Sequence, residues 1–68
     1  MRERDLSEMN AMELRDVIRR AHSMIERAKH VAGANYDPVD MCRQLTGFTE
    51  YELQAVIRRA ATILRDFV

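Results

Sequence analysis

His22, Glu26 and His30 recur at four-residue steps, so on a helix they lie roughly one above another. Imidazoles one turn apart can share a metal ion, as in helical zinc motifs. A metal site needs three or four ligands, and a strict four-residue step drifts around the helix axis. With no further ligand nearby in sequence, the triplet reads as a solvated face with local Glu–His pairs. Cys42 is the one cysteine. A nucleophilic thiolate needs a histidine base and a polarising environment. Beside Met41 and Leu45, Cys42 reads instead as a small buried hydrophobe. The sequence holds no glycine-rich phosphate loop and no Ser-His-Asp set, and its 68 residues are few for a water-excluding ligand pocket. The expectation is a non-enzyme with no metal and no cofactor.

The arginines are the more suggestive polar residues. Arg19-Arg20 and Arg58-Arg59 stand at equivalent places of an internal repeat. Asp16 lies four residues before Arg20 and can pair with it on a helix. The equivalent of Asp16 in the second repeat is Ala55, so the second arginine pair must look beyond its own helix. It can meet acidic residues of the first helix across an interface. It can also face an external acidic group, either a phosphate backbone or an acidic protein patch. Arg58, Arg59, Arg19 and Arg20 are therefore expected to form a partner-binding surface. Tyr36 is expected to join them as an exposed loop aromatic. Met9 and Met12, off the main apolar stripe, are further contact candidates, whereas Met24 reads as core.

The elements that position these residues come from one helical pattern written twice. Residues 13–21 and 52–60 match at seven of nine positions, 39 residues apart. Leu14, Val17, Ile18, Ala21, Met24, Ile25, Ala28, Val31 and Ala32 follow a helical period. The pattern predicts a helix over about 10–32, capped by Asn10 with Glu13 and ended by Gly33. Asp37-Pro38 predicts the start of a short helix over about 38–45, broken at Thr46-Gly47. Thr49 with Glu52 repeats the capping box and opens a helix over about 50–67. Residues 1–8 read as a frayed start.

The third helix carries Leu53, Val56, Ile57, Ala60, Ile63, Leu64 and Phe67 on one face, with Ala55, Ala61 and Thr62 on its flank. A helix apolar over most of its circumference is covered on more than one side. Those seven face residues are accordingly expected to form a dimer interface, with Ala21 and Ala60 allowing close approach of helices. The fold class is thus all-α: two long repeated amphipathic helices joined by a short one, completed by dimerisation. Size supports this, because a chain so short buries only about 60% of its unfolded surface. A lone cysteine excludes an internal disulfide and the ligand set for a structural metal is missing, which leaves oligomerisation, or docking onto another protein, as the stabilising device.

Composition narrows the function classes. Hydrophobic residues make up 47% and charged residues 32%, a globular balance rather than a disordered one. Eleven basic residues balance eleven acidic ones, which counts against non-specific nucleic-acid binding. No apolar run reaches membrane-spanning length and no leader pattern opens the chain, so a cytoplasmic protein with no membrane contact is expected. Lys29 is the one lysine among the eleven basic residues, a bias that points to a GC-rich bacterial or phage source.

Residues Met41 to Val56 resemble the helix-turn-helix DNA-binding unit of small bacterial and phage regulators. Cys42-Arg43, Thr46-Gly47-Phe48-Thr49, Leu53 and Val56 carry the resemblance, with a short helix, a glycine turn and apolar anchors on the next helix. It implies DNA binding through a recognition helix that begins Glu50-Tyr51-Glu52. Two carboxylates at that end oppose phosphates, and Arg43 stands where a small residue packs. The leading expectation is therefore a small regulator acting on another protein as adaptor or inhibitor. It includes the phage- or mobile-element-encoded kind that blocks a host bacterial factor. DNA-binding regulation ranks second.

Overall fold

The structure, a computed structural model, describes residues 6–67. It is 82% helical, with no strand among the described residues. Three α-helices follow in order: α1 (Ala11–Ala32), α2 (Asp40–Thr46) and α3 (Glu50–Arg65). The expected frayed start is in part a correction. Residues 1–5 lie outside the described residues, but Leu6–Glu8 form a 3-10 turn against α3, because half-buried Leu6 has apolar surface to cover.

Both long helices begin as their cap residues dictate. Asn10 Oδ1 accepts from the Glu13 N–H at 2.8 Å, and Glu13 Oε1 accepts from the Asn10 N–H at 3.1 Å. Thr49 Oγ1 accepts from the Glu52 N–H at 3.1 Å, and Glu52 Oε1 accepts from the Thr49 N–H at 2.9 Å. Each box satisfies two backbone donors that the first turn leaves without helical partners. Gly33 closes α1 at φ 56° and Gly47 closes α2 at φ 88°, a left-handed region that costs other residues a Cβ clash. The third helix ends at Arg65, two residues before the expected end. The N–H groups of Asp66 and Phe67 bond Ile63 and Leu64 three residues back, tightening the last turn.

The second helix starts at Asp40, not at Pro38. The cap position is Val39; Asp37 holds the turn before it, its Oδ1 accepting from the N–H groups of Val39 at 2.7 Å and Asp40 at 2.8 Å. The late start has a tertiary cause. The Pro38 carbonyl accepts from the Glu50 N–H at 2.8 Å, at the start of α3. The Cys42 N–H, whose helical acceptor that carbonyl would be, bonds Asp37 instead at 3.0 Å. One of α3's orphan donors is thereby satisfied by the turn before α2.

Both α2 and α3 pack on α1. Ala11 and Arg15 share a depression with Ala61, Leu64, Arg65 and Phe67, so the start of α1 lies against the end of α3 and the two run antiparallel. Ala21, Ile25, Ala28, Cys42 and Leu53 form the buried cluster, with Met24, Tyr36 and Ile57 packed against it. The repeat is also a repeat of burial. Leu14 and Leu53 are both buried, as are Ala21 and Ala60, while Val17, Ile18, Val56 and Ile57 are all half-buried. Ala21 and Ala60 each put a small side chain at a buried position of their helix, where bulk would hold a neighbouring helix away. The molecule measures 40 × 28 × 15 Å between Cα extremes. At an interaxial spacing of ~8–10 Å, the thinnest dimension holds no more than two helix layers, so every helix keeps an outer face.

Thr49 is the one buried polar residue among those described, 7% exposed, which makes its cap testable. Thr49→Ala is expected to lower stability by about 1 kcal/mol in chemical denaturation. The cap also sets a pH dependence. Hydrogen bonding from the Thr49 backbone first, then its side chain, holds the Glu52 carboxyl below its ordinary 4.5. A depressed folded value contributes stability above pH 4.5 that fades as the pH falls through that lower value. NMR titration of the Glu52 carboxyl carbon should show the depression in the parent and only a partial return toward 4.5 in Thr49→Ala, because alanine keeps the backbone N–H that is the larger cause.

Candidate functional site

The arginines of the first repeat are built on one carboxylate. Arg19 Nη2 lies 2.9 Å from Asp16 Oδ1 and Arg20 Nε lies 2.9 Å from Asp16 Oδ2. The expected Asp16–Arg20 pair forms, and Arg19 shares the same acid through its three-residue spacing. The two arginine side chains remain 78% and 77% exposed. Pairs this solvated contribute at most about 1 kcal/mol, and two guanidinium groups on one carboxylate leave a net positive charge. The arrangement presents cations rather than consuming them.

On α3, Arg58 and Arg59 are both exposed. Arg58 makes no ion pair with the described residues, while its carbonyl accepts from the Thr62 hydroxyl at 2.9 Å. Arg59 is engaged by another group, so the contrast with the first repeat holds for Arg58 alone. Arg58 is therefore the better-defined of the two as a cation facing outward.

Tyr36 departs from its expected exposure. It is half-buried and packs against the core cluster. Its hydroxyl donates to the Glu50 carboxylate, and Lys29 Nζ lies 5.8 Å from the ring centre. Burial, with the Glu50 carboxylate and Cys42 beside it, holds the phenol above its ordinary value of 10.0. The tight Gly33–Asn35 turn brings Tyr36 back toward α1, and the physical reason it stays inward is the half-buried seat offered by the core cluster and the Glu50 carboxylate. Its hydroxyl is committed within the chain, locking the loop to the start of α3.

The other chemistry-bearing residues fall apart in space or into the core. His22, Glu26 and His30 line the exposed side of α1. No group of three or more His, Cys, Asp or Glu converges to hold a metal among the described residues. Cys42 is fully buried, its Sγ 3.8 Å from Thr46 Oγ1. Met12 is 79% exposed, as expected for a contact residue, whereas Met9 is half-buried.

The seven residues expected at a dimer interface divide three ways. Leu53 and Ala60 are buried inside the single chain, against the expectation, because the antiparallel α1 already covers the middle of the α3 face. Val56, Ile57, Ile63 and Leu64 are half-buried, and Phe67 is 54% exposed. These five retain apolar surface that the single chain leaves only partly covered.

Gly47 has the left-handed conformation that a helix-turn-helix places in its turn. Yet α2 leans on α1, and Arg43 is exposed rather than packed between helices. Glu50 accepts from Tyr36 and from Gln54 at 2.9 Å, and Glu52 is a carboxylate in its cap. The first turn of α3 thus presents negative charge where DNA phosphates would lie.

Sequence reasoning did not single out Arg27, Val31 and Leu45 as site residues, and the structure draws them together. Arg19, Arg20, Met24 and Arg27 line one furrow along α1, and Met24, Arg27, Val31 and Leu45 line the next, between α1 and α2. Part of the signal was present, since Arg27 stands seven residues after Arg20 and Val31 seven after Met24, two turns along the same stripe. No helix among the described residues is long and apolar enough to cross a membrane. No family model, characterised protein or solved structure matches this chain.

Proposed function

We propose that this chain is a small non-enzymatic regulator that works as a homodimer and binds another protein through its arginine-bearing helical surfaces. One observation carries the reading. The buried core contains seven apolar side chains, three of them alanine, while seven large apolar side chains among the described residues stand exposed. A monomer of this size that keeps more large apolar groups outside than inside is built to be covered. Arg58 and Arg59 on α3, with Arg19 and Arg20 on α1, supply the polar rim and the direction of binding. The lysine-poor composition fits a bacterial or phage source, so a bacterial protein is the target class to search first.

The test combines capture with melting. Tagged parent chain is expected to retain a discrete protein from bacterial lysate, and Arg58→Ala with Arg59→Ala to weaken that binding by about 2–4 kcal/mol as anchors at an interface do. Helicity, melting temperature and sedimentation of the double variant should stay with the parent. A double variant that melts far lower, or holds the partner unchanged, removes this surface as the site. Retention of duplex DNA that falls steeply with salt would replace the reading with DNA binding.

A further inference from the structure

The furrow along α1 and the groove between α1 and α2 form one track, because Met24 and Arg27 line both. Along α1 the track reads Arg20, Met24, Arg27, Val31, at spacings of four, three and four. That is a helical stripe alternating cation with apolar side chain. Its outer part is basic, from Arg19, Arg20 and Arg27. Its inner part is apolar, walled by Val31 on α1 and Leu45 on α2, which are 63% and 44% exposed.

We infer that this track is a docking groove for an acidic amphipathic segment of another protein, with an aliphatic or aromatic anchor between Val31 and Leu45 and carboxylates on Arg20 and Arg27. The inference rests on the protein-binding reading above and names the partner's chemistry. Charge complementarity selects the occupant. A cation stripe beside an apolar slot matches a helix with apolar residues on one face and acids along its edge, laid in a groove. A second copy of the chain is a poor match. Its Asp37, Glu50 and Glu52 carboxylates are committed to internal bonds, Asp16 already holds Arg19 and Arg20, and its exposed Glu26, Asp40 and Asp66 lie on α1, on α2 and after α3 rather than along the edge of one helix. Nucleic acid is also a poor match, because the slot is apolar and Asp16 sits within the basic stretch.

A random peptide library displayed on phage and selected against the full chain tests this directly. Enriched peptides are expected to be acidic and to carry aliphatic or aromatic residues at helical spacing. In amide NMR they should shift Met24, Arg27, Val31 and Leu45 most. Val31→Glu and Leu45→Asp, at exposed positions that spare the core, should each weaken the best peptide at least tenfold with melting unchanged. Arg27→Glu should weaken it similarly and flatten its salt dependence, while Arg65→Glu on α3 should change it less than twofold. Enrichment of nothing, of peptides without acids, or of peptides that shift α3 around Arg58 overturns the groove. A lysate partner whose footprint lies on Arg58 and Arg59 would leave the protein-binding reading standing and this one refuted. A duplex oligonucleotide that shifts the same four residues would also overturn it.

Discussion

Leu53→Asp is expected to unfold the domain. Leu53 is 5% exposed and belongs to the buried cluster with Ala21, Ile25, Ala28 and Cys42. No cation among those neighbours can pair with a carboxylate placed there. An unpaired buried charge costs several kcal/mol even after local relaxation. A chain of 68 residues has a total stability of roughly 3–10 kcal/mol at 0.05–0.15 kcal/mol per residue. One such charge therefore exhausts most or all of it. Far-ultraviolet circular dichroism should lose its helical minimum at 25 °C, and amide NMR dispersion should collapse. Phe67→Asp, at a site 54% exposed, should leave both measurements near the parent. If Leu53→Asp still melts cooperatively within a few degrees of the parent, the core is not where the structure puts it.

The second large effect concerns assembly. The parent chain is expected to sediment at low micromolar concentration as twice its 8.0 kDa mass, and Ile63→Asp as a single chain. Ile63 is half-buried on a flank of α3, and its equivalent in the first repeat is Met24, half-buried and packed against the core beside α2. An aspartate at Ile63 stays hydrated in the free chain but is desolvated at a dimer interface. The asymmetry should weaken association by about 3–4 kcal/mol, a factor of a few hundred to a thousand, while helicity persists. Thr62→Asp, one residue along but exposed, should dimerise like the parent. A parent that sediments as a folded 8.0 kDa monomer defeats the dimer proposal outright. An Ile63→Asp chain that still pairs would instead move the interface elsewhere.

Local chemistry made much of the fold legible. Asn10 with Glu13 and Thr49 with Glu52 announce helix starts because each supplies the acceptors that a first turn lacks. Gly33 and Gly47 announce helix ends because each takes a backbone conformation that other residues resist. The seven-of-nine match between residues 13–21 and 52–60 implied two like apolar faces, and the structure pairs them antiparallel with the shared apolar positions of the two stretches alike in burial. Asp16 with Arg20 was legible because four residues make a helical turn. All of these are relations within a few residues, or within one helical period.

Where the expectations failed, the cause lay across the chain. The start of α2 moved to Asp40 because Glu50, distant in sequence, takes the Pro38 carbonyl. Tyr36 turned inward because the Glu50 carboxylate and the Cys42 side chain offer it a half-buried seat. Leu53 and Ala60 were used up inside the monomer because α1 runs antiparallel along them. The joined track through Arg20, Met24, Arg27, Val31 and Leu45 exists because α2 folds back on the second half of α1. Periodicity and capping decide which residues are helical and which way each helix faces, since those depend on backbone geometry and near neighbours. Which apolar face is spent inside the chain and which is left for a partner depends on how helices far apart in sequence meet, and that only tertiary packing decides.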